Sequence, residues 1–362
     1  MPADSLSSFA LRLAEQLRHG GETFSEESTF TQTARELFAI QVERNSVLRS
    51  WCQARGVRPN PELSWRDIPA IPTNAFKEAD VSCIPVPERT AEFHSSGTTT
   101  QSPSRHFHRP ESLDLYAISV RAAFARRMGS AAGQRLLVSL TPPPAEAPHS
   151  SLVHMFQILG EQSRPGRTTY FGKATPSGWT IDHRRLEEFL RTLTGPILLA
   201  GTAFNYVNWL DTQPGPPIRL PTGSIILETG GYKGRSRELP RADLVDLLTK
   251  HLMVPAASIL TEYGMSELSS QAYSDEAAAT EAAPHLRFPP WVRTRVISPE
   301  TGREVPAGQV GILQIFDLAN VWSTLALQTA DLARAQSGLF QLLGRASRSE
   351  PRGCSLLSLE IS

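Results

Sequence analysis

The sequence predicts an α/β fold, a large domain on a mostly parallel sheet with a helical segment ahead of it. Two patterns carry this. Short apolar runs recur, each closed by a Gly/Ser/Thr loop and followed by helical spacing. Before them, residues 1–56 read as helix, with Leu6, Phe9, Leu13 and Leu17 on one helical face.

In chain order, a proline-marked stretch from Pro59 to Pro87, containing IPAIPTNAFKEADV, follows the opening helices. Arg135–Leu140, Pro196–Ala200, Gly223–Glu228 and Ala257–Glu262 read as buried strands. Leu113–Arg127 and Leu239–Leu252 have helical spacing; Leu113, Tyr116, Val120 and Phe124 share one stripe. Strands alternating with helices imply βαβ units and a largely parallel sheet. The organisation expected is a helical segment over 1–90, an α/β domain over 91–345 and a short tail over 346–362.

Bulk composition narrows the function. The 362 residues are 40% hydrophobic and 20% charged, with Lys+Arg and Asp+Glu balanced at 36 each. Neither a nucleic-acid binder nor a membrane-surface binder is expected, since each needs a basic excess or patch. No apolar run approaches the roughly 20 residues that span a bilayer. The start, MPADSLSSFALRLAEQLRHG, lacks the marks of a signal peptide. Cys52, Cys83 and Cys354 form no CxxC pair. That pattern favours a reducing cytoplasm over a disulfide framework or a zinc site.

Three loops fall at successive strand ends: GTAF (201–204), ETGGYKG (228–234) and EYGMSE (262–267). Ligands of open parallel sheets bind outside the carboxyl ends of strands. A further loop, Ser95, Ser96, Gly97, Thr98, Thr99 and Thr100, offers hydroxyl and backbone donors with little bulk. It suits phosphate oxygens, or serves as a plain Ser/Thr turn; it lacks the Walker A spacing and lysine. In Tyr263-Gly264-Met265-Ser266-Glu267, an aromatic ring can stack on a base and a carboxylate can ligate Mg²⁺. The same residues also fit a strand turning into a capped helix. Near the end, Gln328-Thr329-Ala330-Asp331-Leu332 places an aspartate, expected in a loop, that can hold ribose hydroxyls; Gly344-Arg345 follows.

Together and in this order, these motifs resemble the adenylate-forming superfamily of acyl-CoA synthetases, peptide-synthetase adenylation domains and beetle luciferases. The resemblance implies that a carboxylate attacks the α-phosphate of ATP and pyrophosphate leaves. It implies that residues 95–100 hold phosphates and that Gly230 and Gly231 flank the adenine. Tyr263 would stack on the base, within a nucleotide-binding motif that includes Gly264 and Ser266. Glu267 would bind Mg²⁺, Asp331 the ribose, and Arg345 would lie near it. The chain departs from the larger relatives in several places. Ser104, Arg105 and His106 stand where their phosphate loop carries a lysine, Ala330 replaces a glycine and Ser347 an aspartate. The full C-terminal lid domain that brings their catalytic lysine is not expected here.

IPTNAFK, GGYK and the final LLGRASRSEPRGCSLLSLEIS are similar to the LuxE-type acyl-protein synthetases, over nearly the whole chain. That resemblance implies a fatty acid as substrate, Cys354 as acyl acceptor through a thioester, and delivery to a partner acyl reductase. The alternative for Cys354 is a small residue entering a last strand. Lys233 is a candidate substitute for the missing lysine, or else an exposed turn residue. The acyl pocket is expected near Gly201–Phe204 and the helix carrying Tyr206, Val207 and Trp209. His94, His106 and His108 flank the Ser/Thr loop; His106 and His108 share a face and are expected to be structural, since no third ligand is placed for a metal. Two further functions stay open: adenylation with transfer to CoA or a carrier-protein thiol, and a non-catalytic nucleotide-binding subunit of a reductase complex.

Overall fold

The computed structural model describes residues 5–95, 102–129, 133, 135–163, 168–176, 178–212, 215–230, 239–275 and 283–346. Helix Ser5–Arg18 buries Leu6, Phe9, Leu13 and Leu17, the stripe its spacing announces. Helices Glu27–Arg44 and Ser46–Ala54 meet at Asn45, whose side chain accepts from Leu48 N and so caps the second of them. Trp65 packs edge-on to both Phe30 and Phe316, 5.7 and 4.8 Å between ring centroids. The helical segment therefore shares one core with strands more than 250 residues later.

The main sheet has twelve strands among the described residues. Thr169–Tyr170, Leu136–Ser139, Ile197–Thr202, Ile225–Thr229 and Ile259–Tyr263 lie side by side and parallel. Beyond Ile259–Tyr263 the pairing reverses. Ala272–Ser274, Leu286–Arg287, Leu339–Arg345, Ala326–Gln336, Val310–Asp317 and Val292–Ile297 continue the sheet antiparallel. Ile71–Pro72 adds a short parallel pair with Leu327 and Gln328. The four expected strands and both expected helices form, the latter as Pro110–Met128 and Arg241–Leu252. The antiparallel half is the part that the βαβ pattern does not contain.

The parallel strands are apolar on both faces, as a sheet covered on both sides requires. Leu198, Ala200, Leu227 and Leu260 point to the side packed by Pro110–Met128 and Ser151–Ser163. Ile197, Leu199, Ile226 and Ile259 point to the other, under Ala203–Thr212 and Arg241–Leu252.

Two polar side chains of the N-terminal helices and one backbone amide after them tie this segment to the antiparallel half. Gln41, fully buried, donates through Nε2 to the carbonyls of Asn320 and Val321 and accepts from Leu325 N. Asn45 donates to the Ser323 carbonyl, and Cys83 N donates to that of Trp322. Gln41→Leu would leave those backbone groups buried without partners, each worth about 1–3 kcal/mol. It is expected to lower the urea midpoint by an amount equivalent to at least about 3 kcal/mol, with an unchanged slope. Exposed Glu43→Ala on the same helix should stay within about 0.5 kcal/mol of wild type.

Candidate active site

The GTAF loop is structural. Thr202 Oγ1 accepts from Asn205 N at 3.1 Å while Asn205 Oδ1 accepts from Thr202 N at 3.0 Å, a reciprocal cap that starts helix Ala203–Thr212. Tyr206, Val207 and Trp209 are fully buried in the core beneath it. Tyr206 donates to the Leu199 carbonyl at 2.8 Å. No acyl pocket forms among the side chains of Tyr206, Val207 and Trp209 in the described residues. Their side chains fill the space against the sheet, and a cavity opens on the opposite face instead, bordered by Thr229 and Glu262.

The YGMSE segment lies where the sheet changes from parallel to antiparallel. Tyr263 pairs with Ala272 across that boundary. The half-buried Tyr263 ring meets Phe288 and Phe340 edge-on, and its hydroxyl donates to Asp331 Oδ2 at 2.7 Å. Burial and the neighbouring carboxylate push the phenol well above its ordinary pKa, so it remains a donor. Arg345 Nε donates to Asp331 Oδ1 at 3.2 Å. Asp331 stands in a strand, not in the expected loop, because TADL and GR belong to neighbouring antiparallel strands in which Asp331 directly opposes Arg345. The Arg345 side chain is 83% exposed, so its head group is free to meet a ligand. Gly344, at φ +121°, takes a conformation that other residues adopt only with strain.

The second half of the motif is a turn with almost no freedom. Ser266 Oγ donates to Glu267 Oε2 at 2.9 Å, and Asn320 Nδ2 donates to the Glu267 carbonyl. Asp317, fully buried, accepts from Ser269 N, Ser270 Oγ and Ala319 N. Burial nevertheless pushes its carboxyl up to about 6. Sequence reasoning misses Asp317 and Asn320, which hide in an otherwise apolar strand end. His106 donates from Nδ1 to the Ser266 carbonyl at 2.8 Å, and burial pushes it down to about 4, so it is neutral. Its structural role agrees with expectation.

The Ser/Thr loop enters and leaves beside this turn. Ser95 N donates to the Ser104 carbonyl and Ser95 Oγ accepts from Ser104 N. Ser104 Oγ lies 3.4 Å from Ser266 Oγ. The loop's mouth is thus closed by Ser95 and Ser104 and set against Ser266 and Glu267. Arg105, where relatives carry a lysine, is bound to Asp80 at 2.9 Å. Gly230, just after strand Ile225–Thr229, is exposed, and a Cβ there would meet none of the described residues within 4 Å. Ser96, Gly97, Thr98, Thr99, Thr100, Gly231, Lys233 and Cys354 lie outside the described residues.

His94, on the far side of its strand pair, has neighbours that sequence reasoning does not place. Glu92 and His149 bring ligand atoms within 4.8 Å of it and of each other. The two imidazoles stack at 4.4 Å with 8° between their planes. A cation must lie in the plane of each ring that ligates it, and stacked parallel planes share no point. This arrangement is a stacked pair with a carboxylate partner.

Glu262, 3% exposed, is the most consequential carboxyl that the motif reading omits. Burial is the main force raising it to about 7, the nearby Glu228 charge adds to this, and the Thr229 hydroxyl opposes it. A carboxyl raised in the native state binds its proton more tightly there than in the unfolded chain. It therefore contributes a loss of stability that grows from pH 4.5 to about 7 and is constant above. Glu262→Gln is expected to flatten this fall, by up to about 3 kcal/mol between pH 5 and 8. Denaturant midpoints across that range check it; parallel curves for both proteins would refute the assignment.

Comparison with known proteins agrees with this geometry. The profile of the family described as "Acyl-protein synthetase, LuxE" matches residues 25–361. The long-chain-fatty-acid–luciferin-component ligase of Aliivibrio fischeri is 23% identical over 306 residues, covering 82% of this chain and 77% of that protein. Among solved structures, an open conformation of 2-hydroxyisobutyryl-CoA ligase superposes with a TM-score of 0.66 at 15% identity, over 90% of this chain and 77% of that one. ATP-bound MatB from Rhodopseudomonas palustris gives 0.51 at 18% identity, over 71% of this chain and 48% of that one. These likenesses establish the adenylate-forming fold. With its family profile spanning nearly all of its length, the chain belongs to the LuxE acyl-protein synthetases and is a ligase.

Proposed function

We propose that the protein activates a carboxylic acid with ATP as an acyl adenylate and passes the acyl group to a thiol. The observation that carries this reading is the meeting of Tyr263, Asp331 and Arg345 at one strand end, next to the Ser266–Glu267 turn and the mouth of the Ser/Thr loop. A ring, a carboxylate and a guanidinium suit a nucleoside; hydroxyls and backbone donors suit its phosphates.

In this reading Asp331 accepts from the ribose hydroxyls and Tyr263 and Gly230 border the base. A carboxylate oxygen of the acid attacks the α-phosphorus, and the bond to the departing pyrophosphate breaks. The reaction needs placed positive charge more than a general base. Glu267 fits a Mg²⁺ ligand: an anionic oxygen beside a hydroxyl at the loop mouth, leaving other positions for phosphate oxygens and water. The ion would neutralise charge on the phosphates. Arg105 is occupied by Asp80, so Lys233 is the residue assigned to the α-phosphate. The Cys354 thiolate then attacks the acyl carbonyl and AMP leaves, giving a thioester for an acyl-reductase partner. Transfer to CoA or a carrier-protein thiol is the other outcome of the test. The name of the Aliivibrio relative specifies a long-chain fatty acid for that protein, which makes such an acid the reference substrate. The reading fits a cytoplasmic enzyme.

Intact-protein mass after incubation with ATP, Mg²⁺ and the acid is expected to show a hydroxylamine-labile acyl adduct that Cys354→Ala lacks. Acid-dependent pyrophosphate release without an adduct would move the acceptor to another molecule. Asp331→Ala removes a charged hydrogen-bond acceptor and should raise KM for ATP roughly ten- to hundredfold. An unchanged KM would remove Asp331 from the nucleotide site.

A further inference from the structure

Helices Pro110–Met128 and Ser151–Ser163 pack side by side over the sheet face lined by Leu198, Ala200, Leu227 and Leu260. Where they meet the carboxyl ends of the strands, Tyr116, Leu152, Met155, Met265, Thr229 and Glu262 border a cavity of about 60 Å³. Its polar side adjoins the nucleotide residues, because Thr229 and Glu262 directly precede Gly230 and Tyr263. Its apolar side comes from the second helix, through Leu152 and Met155. An acid placed with its carboxyl toward the nucleotide therefore points its chain at the helix pair. At about 10–15 Å³ for each water-sized group, the cavity admits roughly five such groups, a fraction of a long fatty acid.

The same two helices hold a second, larger cavity of about 440 Å³. Leu113, Ala117 and Ile158 give it an apolar wall, and the partly exposed Arg18, Arg121 and Glu161 stand around it. Tyr116 borders the first cavity and His154 the second, and their rings are in contact, with centroids 5.6 Å apart. Phe93 packs against both rings, at 5.7 and 5.3 Å. The Tyr116 hydroxyl is held loosely. It donates to the Ser151 carbonyl at 3.3 Å, well beyond the usual ~2.7–2.8 Å of a hydroxyl bond. Met155 and Met265, unbranched and polarizable, can reshape around a ligand. Burial holds His154 below its ordinary pKa, so at neutral pH its ring carries no charge for a hydrocarbon to desolvate.

We propose that a long acyl chain leaves the inner cavity between these two helices, turns the Tyr116 ring away from His154, and ends in the larger cavity against Leu113, Ala117 and Ile158. The assignment rests on the adenylation reading with a long-chain acid as substrate. Tyr116 and His154 then act as a length gate. A short acid ends before them and leaves their contact closed. In a longer one, every carbon beyond the gate is withdrawn from water along an apolar wall, so binding strengthens with length. The charged side chains around that wall keep their heads in solvent while the chain lies beneath them.

Photo-crosslinking reads the path without requiring turnover. Tetradecanoate and hexanoate, each carrying a diazirine at the far end of the chain, are irradiated with the full-length protein and α,β-methylene-ATP, which blocks adenylation. Peptide mass spectrometry then locates the label. Tetradecanoate is expected to mark residues of the larger cavity, such as Leu113, Ala117 and Ile158, and hexanoate to mark Leu152 or Met155. Tetradecanoate label confined to the inner cavity or to the sheet core overturns the proposal, as does the absence of label that unlabelled tetradecanoate competes away. Ala117→Trp and Gln157→Trp fill the larger cavity from its two helices. Each should lower kcat/KM for tetradecanoate relative to hexanoate at least about tenfold, a ratio insensitive to the folded fraction. A ratio unchanged in both variants also overturns the proposal. Acid-dependent ATP–pyrophosphate exchange separates the two readings. Label in the larger cavity without exchange refutes adenylation and upholds the path; exchange with the label elsewhere does the reverse.

Discussion

The buried carboxyl of Asp317 is the constraint from which the site derives its shape. It belongs to the antiparallel half of the sheet, yet its acceptor bonds go to Ser269, Ser270 and Ala319, in two segments that sequence separates widely. Asn320, three residues on, reaches the Glu267 carbonyl. A carboxyl this deep is tolerated because several donors converge on it, and removal of its partners would leave an uncompensated polar group in the core. The turn that carries Ser266 and Glu267 is in this way held by the protein interior, before any ligand arrives. Trp291 extends the anchorage, donating to Ser270 Oγ at 3.0 Å.

The boundary between parallel and antiparallel strands has a chemical meaning as well. Successive residues of a strand face opposite sides, so Glu262 and Tyr263 serve different surroundings from adjacent positions. Tyr263 reaches across the antiparallel half to Asp331, while Glu262 stays with Thr229 on the parallel half. One strand end thus separates an aromatic and ionic environment from a small cavity lined by polar and apolar side chains alike. A reaction that joins a nucleotide to an acid needs two such environments meeting at one point.

Much of this was legible in the sequence, and the remainder was hidden for identifiable reasons. The apolar runs at 136, 197, 225 and 259 announced the parallel half, because buried parallel strands are apolar on both faces. Tyr263, Asp331 and Arg345 were picked out from separate motifs, and the fold brings them into contact. The strand Val310–Asp317 escaped notice. The N-terminal helices cover one of its faces, which removes the alternation that marks a half-exposed strand. Asp317 escaped with it, since no local pattern distinguishes a buried carboxyl from a solvated one. The helix that follows the GTAF loop shows a converse difficulty. Apolar residues after a strand suggest a pocket, but Tyr206 and Trp209 are large enough to fill the space themselves. Only packing distinguishes a lined cavity from a filled one.

The pairing of Ile71–Pro72 with Leu327–Gln328 bears on how the molecule is made. Gln41 likewise bonds to a residue 279 positions away. Contacts of such sequence separation are slow to form, because the chain must close a long loop before any of them contributes. During synthesis the amino-terminal helices must wait, with Phe30, Phe38 and Trp65 uncovered, until the ribosome has released the strands over 310–336. Until then the early chain's apolar surface lies open, and aggregation of nascent chains is a hazard set by topology.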